Sequence, residues 1–422
     1  MTNGDLKNFF EPKRIAIIGA SDSIEKVGGI LLSKSIKSSL EIIPINPSHD
    51  EILGKKCYKS ISEFSGKIDL VVIAVPANFI PSILVECGKK SIKNVILISA
   101  GFSEVGNKNG VKKILEISEK YGIRFIGSNC FGICNPGNNL DLTFSSSMPD
   151  VGDVAFISQS GALWSYVADF FKGKIGFSKF VSLGNMESLD FNDFIKYFSK
   201  DKKTKSIVLY IEKLKNGKGF MSACEKAIKD GKKIYAVKGG SSIVGEKAAI
   251  SHTASLASDY EVYKGAFKQC GVILCDSLID AFVLASGKRV AYDKKEINIG
   301  NSVFVLTNAG GAGVLLSDYL SKKGVEIVEK PLDILGTARA EDYVKAFNEI
   351  KSKSFETLFV VVTPQSMTDV ENIASKIVEF NKELRKSSRK AVAVFLGGKF
   401  MAKANEVFRN NGIEFVNTIE GI

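Results

Sequence analysis

Three times along the chain a β-branched strand runs into a loop of small residues and then into a helical pattern. The openings span Arg14 to Asp22 (IAIIGAS between them), Asp153 to Trp164 (VAFISQSGAL) and Ser302 to Leu316 (VFVLTNAGGAGVL). Each lies near the start of a segment in which short apolar runs alternate with amphipathic stretches. That alternation predicts parallel strands joined by crossover helices, with both faces of each sheet covered. Strands are expected near 15–18, 42–45, 70–75, 94–98 and 124–126, then 154–157, 178–182, 206–211, 233–237 and 271–274. A third set is expected near 303–306, 325–328, 357–362, 391–396 and 413–415. The fold class is α/β: three consecutive doubly wound units with parallel sheets.

Length agrees, since 422 residues at roughly 150 per domain make about three domains. The expected divisions are 1–145, 146–290 and 298–422. The first boundary rests on Pro136, Gly137, Pro149 and Gly152, and the second on the charged stretch from Lys288 to Ser302. With 45% hydrophobic and 24% charged residues, the chain has enough apolar side chain for several cores, which excludes a disordered protein. Apolar runs such as 69–81 are broken by proline or polar residues well short of the ~20 needed to span a bilayer. The opening MTNGDLKNFFEPKR lacks an apolar signal region, so a soluble, cytoplasmic protein without a membrane partner is expected.

The net charge of +11 (57 − 46) comes from short lysine pairs such as Lys112-Lys113 and Lys232-Lys233 within helical stretches. No nucleic-acid-binding motif accompanies them, so they are read as solvated helix faces with a general attraction for anions. The seven cysteines, Cys57, Cys87, Cys130, Cys134, Cys224, Cys270 and Cys275, form no CxxC pair. Reduced thiols are expected, with neither a disulfide framework nor a metal site.

Glycine turns at strand ends can bind anions, because backbone without a Cβ approaches a phosphate closely and the next helix offers unpaired amides. The loop from Gly19 to Ile30 has this character: Gly-Ala-Ser, six residues, then Gly28-Gly29, with Lys26 in reach of a phosphate. It is not GxGxxG, and the second strand ends in Ile45-Asn46-Pro47 with no acid to hold a ribose, which counts against a nicotinamide dinucleotide. In the second unit Ser160 can cap a helix whose start Gly161 leaves open to close approach, a phosphate-sized anion site.

The segment from Lys238 to Asp259 is rich in Gly, Ser, Thr and Ala and sets His252 between Ser251 and Thr253. It reads as a loop with no apolar wall for the imidazole. Such a ring can act as a nucleophile near neutral pH, or be a solvated loop histidine. Glu212, at the end of the apolar strand 206–211, is the candidate to orient it. His49, beside Pro47 and Asp50, reads as a surface residue.

Taken together, the segments FFEPKRIAIIGAS (9–21), VGG (27–29), IPINP (43–47), VVIAVP (71–76), GSNCFGICNP (127–136), FISQSGAL (156–163), VLYIE (208–212), SHTASLA (251–257) and LTNAGGAGVL (306–315) resemble the α subunit of ADP-forming (NDP-forming) acyl-CoA synthetases, relatives of succinyl-CoA synthetase. The resemblance implies a Rossmann-like CoA-binding domain, a flavodoxin-type domain with a phosphohistidine loop, and a third, shortened flavodoxin-like ligase domain. It implies CoA binding by Gly19, Ser21, Lys26, Gly28, Asn46, Val75 and Pro76, with Asn129 and Cys130 toward the thiol end. Ser160 and Gly161 would hold phosphate, His252 would carry the phosphoryl group and Glu212 would orient it. The implied reaction converts acyl-CoA, ADP and phosphate to a small carboxylic acid, ATP and CoA. Mg²⁺ and ADP or ATP would be bound mainly by an ATP-grasp β subunit, in an α2β2 assembly.

The sequence departs from the family pattern at Ser128, where Pro is common, at Ser48, where Lys is common, and at Ala254, where Gly is common. The third domain passes directly from Val325-Glu326 to Pro331, where relatives carry extra helix. The alternatives weighed against this reading are a non-catalytic CoA-binding regulatory protein and an NAD-dependent dehydrogenase.

Overall fold

The computed structural model describes the backbone of residues 6–253 and 260–422, and the side chains there except at 248 and 250–253. The chain builds three main sheets in succession, each wound with helices. In the first, parallel strands lie in the order Glu41–Ile45, Arg14–Ile18, Leu70–Ile73, Asn94–Leu97, Arg124–Gly127. Strands such as Leu70–Ile73 are buried at every position, as expected for a sheet covered on both faces.

The second sheet runs Ile273–Leu274, Lys233–Lys238, Ser206–Ile211, Asp150–Ser158, Gly176–Ser182 in parallel, then continues through Gly132–Asn135 and Leu140–Thr143 antiparallel. That hairpin was not expected. It also means that the chain changes sheets soon after Gly127, so 132–143 belong by hydrogen bonding to the second sheet although a division at 145 assigns them to the first unit. Alternation cannot reveal this, because a strand's sequence does not say which sheet edge it joins. The third sheet has Glu326–Ile327, Ser302–Thr307, Thr357–Val362, Lys390–Phe395, Glu414–Val416 in order, with Leu332–Asp333 pairing beside the end of Ser302–Thr307.

The sheets are welded by shared cores. One joins Ile15 and Ile17 of the first sheet to Ile157 and Leu209 of the second. Another joins Phe156 and Trp164 of the second unit to Val305 and Val394 of the third. Burying each such side chain contributes about 1.5–3 kcal/mol, so the units do not swing freely past one another. Trp164 stacks on Phe180 with ring centroids 4.1 Å apart. The expected linker 288–302 carries no helix or strand before Ser302, and its Lys295 N–H donates to Gly421 C=O at 2.9 Å.

The segment 238–259 is expected to be a loop, but residues Ile243–Thr253 form a helix. The physical reason is local: Ser242 Oγ accepts the Gly245 N–H at 2.9 Å as an N-cap does, and Glu246, Lys247 and Ala249 are good helix formers. Among the described residues no helix is long and apolar enough to cross a membrane.

Candidate functional site

The strand ends of all three units converge on one cavity of about 950 Å³. In the first unit, strand Arg14–Ile18 turns at Gly19, whose φ of +88° and lack of a Cβ are both required: a Cβ there would lie 2.4 Å from the Ala74 carbonyl oxygen. Gly28, in the helix Val27–Ser35, packs so tightly on that turn that a Cβ would lie 1.9 Å from the Gly19 carbonyl oxygen. The loop is therefore pinned backbone to backbone. Lys26 stands at the N-cap position of the helix and lines the cavity together with Gly19 and Gly28.

Val75 and Pro76 line the same cavity from the end of the third strand, held by the Ser99 hydroxyl, which donates to Val75 C=O at 2.5 Å. Asn129 and Cys130 line it too. The Cys130 thiol donates to Leu97 C=O at 3.3 Å, and burial pushes its pKa up to about 12, so at neutral pH it is a thiol and not a nucleophilic thiolate. Ser21 and Asn46 do not line the cavity. Ser21 Oγ accepts the Ser23 N–H at 3.1 Å, and the Asn46 side-chain amide donates to Ala20 C=O at 2.8 Å. Both brace the glycine turn from behind.

In the second unit, Ser160 and Gly161 line the cavity, but the expectation that Ser160 caps the following helix is not met. Gly161 holds the N-cap position of Ala162–Phe170, and no side chain caps the first turn. Glu212, 4% exposed at the end of strand Ser206–Ile211, faces the same space. Gln159 Oε1 accepts the N–H of Glu212 at 2.6 Å and of Lys213 at 2.8 Å. Burial, with the Glu212 carboxylate adding to it, pushes the Tyr210 hydroxyl well above its ordinary pKa.

The third unit closes the cavity, which residue-by-residue reading of the sequence missed. Its helix Gly310–Lys322 starts at Ala309, again without a side-chain cap, and Ala309 and Gly310 line the cavity. A Cβ at Gly311 would lie 2.5 Å from Ser160 Oγ, so the two helix starts touch. Two positive helix ends aimed at one space favour an anion more than either alone. Lys330, Pro331, Leu332, Asp333, Leu335, Gly336 and Thr337 line the cavity as well. Arg339 beyond them pairs with Glu25 at 3.3 Å. The signal for this wall was present in the third strand–glycine–helix opening, but only folding stacks it on the second.

The rim between the first two units is polar. The Ser128 N–H and hydroxyl both donate to the Glu187 carboxylate, the hydroxyl at 3.0 Å to Oε2. Ser103 Oγ donates to Glu187 at 2.7 Å, and the Asn185 amide bridges Ser128 Oγ at 2.9 Å and Glu104 at 2.6 Å. A proline at 128 lacks that N–H, so the departure from the family pattern coincides with a bond to Glu187. His252 falls in the last turn of the helix Ile243–Thr253; its side chain, and residue Ala254, lie outside the described residues. That helix packs along Gly310–Lys322 and reaches the turn Ser103–Val105, whose Glu104 and Val105 line the cavity.

The chain is similar to known proteins in domains, sequence and fold. Residues 13–136 match the CoA binding domain family, and 151–287 match the succinyl-CoA ligase like flavodoxin domain family. The chain is 38% identical to the α subunit of acetate–CoA ligase [ADP-forming] II of Pyrococcus furiosus, over 97% of this chain and 93% of that one. It is 40% identical to the acetate–CoA ligase [ADP-forming] of Methanocaldococcus jannaschii, over 97% of this chain but 60% of that longer protein. A solved structure of the Candidatus Korarchaeum cryptofilum dinucleotide-forming acetyl-coenzyme A synthetase 1 in complex with phosphate and ADP matches with a TM-score of 0.64 and 32% identity, over 100% of this chain and 95% of that one. By sequence, by domain content and by fold, the chain belongs to the family of α subunits of ADP-forming acyl-CoA synthetases.

Proposed function

We propose that the chain handles CoA, the acyl group and phosphate in the reaction acyl-CoA + ADP + phosphate ⇌ carboxylic acid + ATP + CoA, with a small acid of the acetate type. The observation that carries this reading is the single cavity of about 950 Å³ bounded by the Gly19 turn, two uncapped helix starts and the buried Glu212 carboxylate. These residues fit CoA. The pinned turn at Gly19 and Gly28 exposes backbone to a phosphate, Lys26 supplies charge, and Val75, Pro76 and Val105 form an apolar wall along the same space. Ser21 and Asn46 act indirectly, by holding the turn.

The helix starts at Gly161 and Gly310 hold inorganic phosphate for attack on the thioester carbonyl, which breaks the C–S bond and yields an acyl phosphate. The His252 imidazole then attacks phosphorus, the carboxylate leaves, and the phosphoryl group rides on the ring until ADP takes it. Glu212 accepts a hydrogen bond from the other ring nitrogen and so leaves the attacking one unprotonated. The nucleotide and Mg²⁺ are held mainly by an ATP-grasp β subunit, in an α2β2 assembly in the cytoplasm. Asn129 and the neutral Cys130 line the thiol end of the CoA path.

Incubating the chain and its β subunit with γ-labelled ATP and Mg²⁺ tests this reading. The expected result is an acid-labile, base-stable phosphate on this chain. His252→Ala is expected to abolish both label and turnover while leaving CoA binding intact. Label that persists in His252→Ala overturns the phosphohistidine role.

A further inference from the structure

The helix whose last turn holds His252 begins on a carboxylate from another unit of the chain. Asp318, in the helix Gly310–Lys322 and 6% exposed, accepts three successive backbone N–H groups. Its Oδ2 takes those of Gly240 at 2.8 Å and Ser241 at 3.0 Å, and its Oδ1 takes that of Ser242 at 2.8 Å. The Ser242 hydroxyl donates to Oδ1 as well, at 2.7 Å, and accepts the Gly245 N–H. Gly240 and Ser241 precede the helix and Ser242 caps it, so the carboxylate fixes the backbone that leads into the first turn, and its negative charge is favourable at the positive end of the dipole. Gly245 completes the fit: a Cβ at that position would lie 1.9 Å from Asp318 Oδ1.

The two helices run antiparallel. Residues 240–245 meet Asp318, and Ala249 packs on Val314 one turn nearer the start of the partner helix. At about 1.5 Å rise per residue, that register carries backbone position 252 level with Gly310 and Gly311, which form the second helix start at the cavity. A helix clamped at one end transmits its position to the other, because its internal bonds leave few soft dihedrals between them.

We infer that Asp318 is a positioning residue for His252: through the clamp on Gly240–Ser242 it sets where the helix places the imidazole relative to the two helix starts. The inference rests on the phosphoryl-carrying role of His252. Asp318 does not line the cavity proposed for CoA and phosphate, so its removal changes the rate of phosphoryl transfer and not CoA affinity.

The test uses the full chain with its β subunit. Asp318→Ala is expected to slow the initial rate of His252 labelling by about tenfold to a hundredfold, with CoA affinity by direct titration unchanged. Asp318→Asn, which keeps acceptor oxygen without charge, is expected to fall between. Hydrogen exchange at Gly240, Ser241 and Ser242 should accelerate in Asp318→Ala. A labelling rate equal to wild type in folded Asp318→Ala overturns the inference. Should that variant fail to fold, Asp318→Asn is the second variant, since its amide nitrogen replaces one of the two oxygens that accept the Gly240–Ser242 amides; an unaltered labelling rate there overturns it equally. A wild-type complex that takes no label overturns the reading of His252 itself, an outcome distinct from a labelled wild type with an unaffected variant.

Discussion

One side-chain oxygen, Gln159 Oε1, holds the end of the strand that carries Glu212, accepting its N–H at 2.6 Å and that of Lys213 at 2.8 Å. Gln159 immediately follows strand Asp150–Ser158, which pairs with the Glu212 strand as its direct neighbour. The turn that leads into Ser160 and Gly161 and the Glu212 carboxylate are thus joined by a bond between adjacent strand ends, and a displacement of one moves the other.

Gln159→Leu removes that acceptor and leaves two amides unsatisfied, one of them on a residue that is itself buried. Each unpaired buried group costs about 1–3 kcal/mol. The expected outcome is a loss of that order in chemical denaturation, together with a fall in kcat at unchanged KM for CoA. Equal stability of variant and wild type would show that water replaces the amide without loss.

Gly28→Ala forces a Cβ to within 1.9 Å of the Gly19 carbonyl oxygen, a backbone atom that cannot swing aside. The glycine turn must move, and CoA affinity by calorimetry should fall by about tenfold or more. Gly217→Ala is the control: it lies in the first turn of helix Gly217–Lys229 with open space around it. It should leave CoA affinity unchanged and stability the same or slightly higher, since Ala loses less backbone freedom than Gly.

Lys179 and Asp201 form an ion pair at 2.5 Å, with side chains 1% and 14% exposed. Burial raises the Asp201 pKa, but hydrogen bonds from Lys179 and Thr204 outweigh it and hold the carboxyl below its ordinary value. A lowered native pKa means that the unfolded state binds the proton more readily. The pair's contribution is therefore complete above about pH 4 and is lost as pH falls below that, through the native value. Asp201→Asn strands a buried ammonium and should cost about 3–5 kcal/mol near neutral pH. Thermal unfolding from pH 7 to pH 3 should show the wild-type advantage shrinking at the acid end.

Much of the architecture was legible because its signals are local. Strands Arg14–Ile18, Ser206–Ile211 and Thr357–Val362 announce themselves as short β-branched runs, and the glycines at 19 and 28 announce a turn that needs backbone contact. The helix Ile243–Thr253 was missed because its small residues suggest a loop when its cap at Ser242 is not weighed. The hairpin strands Gly132–Asn135 and Leu140–Thr143 were missed because their partner lies in a later unit.

By itself, the amino-acid order determined the repeated strand–turn–helix units and the chemical types at each turn, since both depend on neighbours a few residues apart. Only the tertiary structure decided that Gly311 sits against Ser160, that Ser21 and Asn46 stand behind the turn and not in the cavity, and that Asp318 clamps Gly240–Ser242. Gly311 and Ser160 are 151 positions apart and Asp318 is 76 to 78 positions from the amides it accepts, and those contacts form only when shared cores bring separate sheets together. A local pattern carries no record of that packing.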